Sequence, residues 1–269
     1  ARTRSLKPND QHKYSISKSE VPQIIQTLDG TYTAYSDTYK EAYHTLDGAL
    51  MEARIRYYEG CQIPQKLTGQ NRIYILDIGF GLGLNTAYAL TKIMESSFKG
   101  SVHLFSLEKE ADLISAFPLI PIPKEVEKGY EFLSQALPKG KFTKDSFSFQ
   151  LLLGPAEETI FKLKGLSFDA IFLDPFSPPK NPELWTETFF KSLFELLSPE
   201  GILSTYSSAI KVRLNLMKAG FCIGCGPKVG GKGSGTLASK FAHLPPFSDK
   251  YWRKIQRRFF REFGFPYPK

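Results

Sequence analysis

Cysteine is scarce in this chain: of 269 residues only Cys61, Cys222 and Cys225 carry thiols, too few for a disulfide scaffold. The Cys222-x-x-Cys225 pair has no second half and sits in an apolar, glycine-rich, strand-like stretch, so no metal site is expected. No apolar run reaches the ~18 residues that cross a bilayer. The polar, basic opening Ala1-Arg-Thr-Arg-Ser-Leu-Lys7 has no apolar segment behind it to form a secretory signal. A cytoplasmic chain without membrane contact is the expectation.

What is present suits one substantial core with an appended element: 42% of residues are hydrophobic and 23% charged. The net charge of +8 is unevenly placed. Residues 1–20 hold five Lys/Arg against two acids and residues 240–269 hold eight against two, which leaves the long middle near −1. A nearly neutral body with basic ends suits a polyanionic partner gripped by peripheral surfaces; solubilising ends without a partner are the alternative.

Along the chain, 22–28 reads as a short helix. Tyr39, Tyr43, Leu46, Leu50 and Ala53 or Arg54 recur three or four apart, marking an amphipathic helical region over 36–56, interrupted near Asp47-Gly48. From residue 72 strands and helices alternate. Strands are predicted at 72–78, 102–107, 147–153, 168–173, 201–206, 221–225 and 235–239. Helices are predicted at 84–95, 156–164, 182–197 and 209–219. The segment 117–144, rich in Pro, Lys and Glu, is expected to add a helix and part of a substrate rim. This order predicts an α/β fold with a mostly parallel, seven-stranded, Rossmann-like sheet and helices on both faces. It divides into an N-terminal extension (1–71) packing on or near the active site, a core (72–240) and a basic, aromatic, helical tail (241–269). Asn181 is the expected cap of the helix that starts at Pro182.

The first core strand ends in Leu76-Asp-Ile-Gly-Phe-Gly-Leu-Gly-Leu-Asn85. Glycines at 79, 81 and 83 let the backbone turn tightly and approach a ligand, beside the free N–H groups of the next helix. A dinucleotide fingerprint starting at Gly79 needs glycine at 84, where Leu84 stands, and the Gly-Lys-Ser/Thr ending of a triphosphate loop is missing. The Asp-x-Gly-x-Gly-x-Gly order instead resembles motif I of class I methyltransferases, which implies S-adenosyl-L-methionine as cofactor. The residues that fall at that site are Asp77, Gly79, Phe80, Gly81 and Gly83. Glu108, after the second core strand and beside Lys109, stands where a carboxylate accepts both ribose hydroxyls. Asn85 either caps the helix or meets the cofactor's amino-acid end.

The fourth core strand ends Leu173-Asp-Pro-Phe-Ser-Pro-Pro-Lys-Asn-Pro182. An acid followed by proline and an aromatic resembles the Asp/Asn-Pro-Pro-Tyr/Phe motif of amino-group methyltransferases. By that resemblance Asp174 and a backbone carbonyl accept hydrogen bonds from the target amine, and Phe176 stacks on a base or walls the pocket. Asp174 is the catalytic candidate, as a base or as an orienter of the amine.

Ile78-Gly-Phe-Gly-Leu-Gly-Leu-Asn85, Phe168 to Trp185, Ser204-Thr-Tyr-Ser-Ser-Ala209 and Leu216 to Phe221 together resemble the bacterial methyltransferases that complete 5-methylaminomethyl-2-thiouridine at the tRNA wobble position. Tyr35-Ser-Asp-Thr-Tyr39, Gly48 and Glu52 look like that family's N-terminal element. The resemblance covers roughly 30–240 and implies methylation of the aminomethyl nitrogen of 5-aminomethyl-(2-thio)uridine, with S-adenosyl-L-homocysteine as the other product. It also implies a tRNA anticodon stem-loop as partner and functional hand-over from the enzymes that install the aminomethyl group. The FAD-dependent oxidase domain found in many members is expected to be absent, so neither FAD nor a metal is called for. One departure is Leu153-Gly-Pro-Ala-Glu157, where the family has Gly-Asp; Ala156 and Glu157 are the candidates for the adenine contact there.

Phosphate-gripping candidates are Lys211, Arg213, Lys218, Lys228 and Lys232, with Lys250, Arg253, Lys254, Arg257, Arg258 and Arg261 in the tail. Trp252, Ile255, Phe259 and Glu262 or Phe263 would form the docked side of a tail helix. Gly230 to Gly235 reads as a flexible hairpin flanking the cofactor mouth or the RNA path. The competing functions are an RNA-binding protein that keeps the fold without catalysis and a small-molecule amine methyltransferase.

Overall fold

The alternating strands and helices of the core close into one sheet, built on apolar residues at period two. The structure, a computed structural model, describes residues 23–26, 32–36, 40–42, 48–117, 121–230 and 233–267. In chain order the strands are β1 (Gln23–Gln26), β2 (Tyr32–Ser36), β3 (Glu41–Ala42), β4 (Arg72–Ile78), β5 (Ser101–Glu108), β6 (Lys141–Lys144), β7 (Phe147–Leu153), β8 (Phe168–Leu173), β9 (Leu197–Thr205), β10 (Cys222–Cys225) and β11 (Thr236–Ser239). The α-helices are α1 (Ala49–Met51), α2 (Ile63–Gly69), α3 (Leu84–Glu95), α4 (Ala111–Ala116), α5 (Glu127–Ala136), α6 (Ala156–Thr159), α7 (Glu187–Leu196), α8 (Ile210–Lys218) and α9 (Asp249–Phe263).

The core sheet runs β10-β11-β9-β8-β4-β5-β7-β6. Its five central strands pair in parallel, whereas β11 and β6 pair antiparallel to their inner neighbours β9 and β7. This is eight strands rather than the seven expected. The addition is β6, a hairpin partner of β7, from the segment expected to supply a helix and a substrate rim. That segment does supply α5, but its described residues pack on the core and line no part of the cavity beside the glycine loop after β4. Along β4 the side chains alternate. Ile73 and Ile75 join the layer formed with α3 and α5, while Leu76 and Ile78 join the layer formed with α6, α7 and α8.

The chain enters the sheet at β4, goes outward through β5 to β7, then returns to the other side of β4 as β8. The crevice between β4 and β8, beyond their carboxyl ends, is therefore the switch point where ligands bind in such sheets. In register, Ile78 lies opposite Leu173, and the N–H of Asp174 donates to the Ile78 carbonyl at 2.9 Å. The glycine loop and the Asp-Pro-Phe turn are thus carried to one place by the last rung of the β4–β8 ladder.

Several local expectations are corrected. Gln23–Gln26 is a strand paired with β2, not a helix; its Ile24-Ile25 pair favours the extended form. Pro22, Thr27 and Leu28 lie outside the described residues, as do Asp37 to Tyr39, Tyr43 and Leu46. Ser36 and Glu41–Ala42 are strand, and among the described residues helix follows Gly48, as α1 running into a π-helix, Glu52–Glu59. The helix expected over 182–197 is two pieces: a 3-10 turn, Pro182–Trp185, and α7. Thr186 divides them and accepts the N–H of Phe189 at 3.2 Å as the cap of α7. Asn181 makes no cap bond.

The tail forms α9. Ile255 and Phe259 are buried against Leu214 and Met217 of α8, with Trp252 and Phe263 at the margin. Ser248 caps its start and Gly264, with φ 78°, ends it in a left-handed turn. Arg213 of α8 is 3% exposed, donating to Thr236 Oγ1, the Gly235 carbonyl and Tyr251 Oη, with its guanidinium over the Phe247 ring. It therefore joins α8, β11 and α9 instead of reaching a phosphate. Lys211 pairs with Glu262 and Lys218 with Glu187; Lys228 is exposed, and Lys232 lies outside the described residues. No described helix is long and apolar enough to cross a membrane.

Candidate active site

Three glycines in left-handed conformations shape the loop after β4, with φ of 84° at Gly79, 53° at Gly81 and 73° at Gly83. At Gly79 a Cβ would stand 2.7 Å from the Asp174 carbonyl oxygen and 3.0 Å from Pro175 Cα. Only glycine lets the loop and the Asp-Pro-Phe turn pack this closely. Beside them opens a cavity of about 380 Å³. Of the residues singled out in the sequence, Gly79, Gly81, Glu108, Lys109, Ala156, Glu157, Asp174 and Phe176 line it.

Four others do not. Phe80 is 2% exposed and turns its ring into the core beside Phe117 and Phe149. Gly83 is the backbone cap of α3. Asp77 is buried under the loop, accepting from Thr86 Oγ1 at 2.6 Å, with its Oδ1 unpartnered. Burial pushes its carboxyl up to about 7, against the opposing Thr86 bond. Asn85 neither caps α3 nor lines the cavity: its Nδ2 donates to Asp174 Oδ2 at 2.7 Å. Its own Oδ1 is buried without a partner.

Asp174 is held from both sides. Asn85 takes Oδ2, and the Tyr57 hydroxyl donates to Oδ1 at 2.5 Å. The part of Asp174 that remains exposed faces the cavity. Burial, then the charge of Glu52, raise its pKa well above the ordinary carboxylate range, against the Tyr57 and Asn85 bonds that lower it. The turn that follows is pinned: Tyr206 Oη donates to the Pro175 carbonyl and Trp185 Nε1 to the Phe176 carbonyl, both at 2.9 Å. This explains the tryptophan at the far end of the motif.

Glu108, 8% exposed, closes the opposite side. Its Oε2 accepts from Gly81 N and its Oε1 from the N–H groups of Lys109 and Glu110, each at 2.8 Å. Three of a carboxylate's ~four acceptor positions are thus committed to backbone. Burial raises its pKa and these three bonds oppose the rise.

The structure adds residues that sequence reasoning did not assign to the site. Glu52 and Arg56 line the cavity as a buried pair, Arg56 Nε to Glu52 Oε1 at 2.9 Å. Both come from the π-helix, where Gly60 N bonds the Ile55 carbonyl five residues back. Asn181, Glu183 and Tyr206 complete one wall, and Gly233 of the β10–β11 connection another. Around the cavity the acids are Glu52, Glu108, Glu110, Glu157, Asp174 and Glu183, and the bases Arg56 and Lys109. So acidic a lining suits a ligand with positive charge.

The fold and the site have counterparts in known proteins. A family described as S-adenosyl-L-methionine-dependent methyltransferase matches residues 122–241. The crystal structure of MnmC2 from Aquifex aeolicus superposes with a TM-score of 0.81 at 36% identity, covering 87% of this chain and 75% of that one. The tRNA 5-methylaminomethyl-2-thiouridine biosynthesis bifunctional protein MnmC of Azoarcus sp. (strain BH72) is 31% identical over 209 residues, 74% of this chain and 33% of that protein. Its namesake from Cupriavidus metallidurans is 30% identical over 246 residues, 84% of this chain and 36% of that protein. The chain spans about a third of the length of these bifunctional relatives. Agreement over most of both chains with MnmC2, at a sheet order and glycine loop suited to the cofactor, leads to one conclusion: this chain belongs to the MnmC-type family of S-adenosyl-L-methionine-dependent methyltransferases.

Proposed function

We propose that this protein methylates the aminomethyl nitrogen of 5-aminomethyl-(2-thio)uridine at the tRNA wobble position, giving the 5-methylaminomethyl derivative. The observation that carries the reading is Asp174, fixed between Tyr57 and Asn85 at the switch point and lining the cavity. The names of the bifunctional relatives supply the nucleoside.

For the cofactor, the Gly79 and Gly81 backbone permits close approach, Glu108 keeps one acceptor position for a ribose hydroxyl beside its three backbone bonds, and Ala156 with Glu157 flanks the adenine. When bound, the cofactor supplies a methyl carbon activated by positive sulfur, so the chain's own task is mainly orientation. Asp174 accepts a hydrogen bond from the amine and aims its lone pair. Its raised pKa also matches it to hold the proton that the nitrogen sheds. The base reaches this crevice by leaving its stack, at a cost of a few kcal/mol that an anticodon loop lowers. Phe176 is the stacking wall for it.

The test is a methyl-transfer assay on defined tRNAs followed by nucleoside mass analysis. Methyl incorporation into aminomethyl-bearing tRNA alone is the expected result. Equal labelling of unmodified tRNA, or none of the aminomethyl substrate, removes the reading.

A further inference from the structure

The cavity holds a second carboxylate on the Asp174 side. Glu52 is 5% exposed and Arg56 1% exposed, yet both line the cavity. Their helix is anchored over β9: the Arg56 carbonyl accepts from Ser204 Oγ at 2.6 Å, and β9 is the neighbour of β8, whose end carries Asp174. Glu108 instead stands at the end of β5, on the far side of β4. The sheet therefore separates the cavity's acids into a Glu108 side and an Asp174–Glu52 side. After burial, Glu52 is the largest influence on the Asp174 carboxyl. Two carboxylates lining the same side of one cavity repel each other unless a cation or a hydrogen-bond donor lies between them. Arg56 answers Glu52 through its Nε, and no described cation pairs with Asp174.

We propose that Glu52 is the second wall of an amine cradle. Glu52 and Asp174 face the acceptor nitrogen together and make the site selective for an acceptor that carries an amine, against a neutral or anionic substituent at the same place. This rests on the methyl-transfer reading above and adds a specificity-determining residue to it.

The experiment measures binding of aminomethyl-bearing and unmodified tRNA to the whole chain saturated with S-adenosyl-L-homocysteine. The parent is expected to bind the amine-bearing tRNA about 10-fold more tightly, the size of one charge-assisted contact. In Glu52→Gln, which retains an acceptor for Arg56, that preference falls to within twofold, while affinities for unmodified tRNA and for S-adenosyl-L-homocysteine stay at parental values. The double variant Glu52→Gln/Arg56→Gln leaves no unpaired buried charge and must lose the preference too. A preference that survives in the variants overturns the proposal, and so does a variant whose main defect is weakened S-adenosyl-L-homocysteine binding, which would assign Glu52 to the cofactor. A parent that shows neither preference for nor turnover of aminomethyl tRNA overturns the functional reading itself.

Discussion

The Tyr57 hydroxyl donates to Asp174 Oδ1 at 2.5 Å across 117 positions of sequence. It ties the N-terminal π-helix to the end of β8. Burial and the neighbouring Asp174 charge raise the Tyr57 pKa well above its ordinary value, so the phenol donates and the carboxylate accepts. A hydrogen bond to a charged group contributes about 1.5–3 kcal/mol. Tyr57→Phe is therefore expected to lower kcat/KM about 10- to 100-fold and leave S-adenosyl-L-homocysteine affinity unchanged in calorimetry. Its bond lowers the Asp174 pKa, so its loss must also move the acidic limb of the kcat/KM–pH profile to higher pH. A limb that stays in place would show that Asp174 is not the titrating group.

Some of this site is legible in sequence because strand ends and glycines are local signals. Strands 72–78, 147–153 and 168–173 and helix 84–95 coincide with the observed elements; the apolar strand runs end at Gly79, Gly154 and Asp174, and the helix starts just past the third glycine of its loop. Glu108 and Asp174 follow from standing at strand ends. Tyr57, Glu52 and Arg56 do not follow, because a π-helix rotates side chains away from the faces that a period of 3.6 assigns. Arg213 reads as a surface cation, yet its partners Thr236, Gly235 and Tyr251 are brought to it only by the β9–β11 pairing and the docking of α9.

Asp77 makes a pH prediction. Its folded pKa of about 7 lies above the ordinary 3.8, so the folded state binds its proton more tightly than the unfolded chain does. The stabilisation is full below pH 3.8 and is lost as pH rises through about 7, by roughly 4 kcal/mol at most for this one group. Asp77→Asn retains an acceptor for Thr86 and cannot ionise. Thermal melts should give a variant whose Tm relative to the parent rises between pH 5 and pH 8; a constant difference would mean that the carboxyl is not desolvated.

Gly79→Ala forces an L side chain into φ 84° with its Cβ 2.7 Å from the Asp174 carbonyl oxygen. The left-handed conformation alone costs about 1–2 kcal/mol, and the turn carrying Asp174 must also move. Melts and S-adenosyl-L-homocysteine titrations are expected to show a lowered Tm and at least about 10-fold weaker binding. Unchanged affinity would separate the loop from the cofactor.

The exposed face of α9 presents Lys250, Arg253, Lys254, Arg257, Arg258 and Arg261, none of them in an ion pair among the described residues. Lys211 and Lys218 are paired and Arg213 is buried, so this face, with the exposed Lys228, is the expected phosphate-binding surface for the proposed tRNA substrate. Since α9 docks through Ile255 and Phe259, Arg257→Ala/Arg258→Ala leaves its packing intact. Each lost phosphate contact should reduce the slope of log K against log salt by about 0.7–0.9, so the double variant should lose up to about 1.4–1.8 in slope. The loss should be equal for aminomethyl-bearing and unmodified tRNA, because phosphate contacts position the RNA without reading its base. Anisotropy titrations across a salt series measure both quantities, and an unaltered slope would place the RNA on another surface.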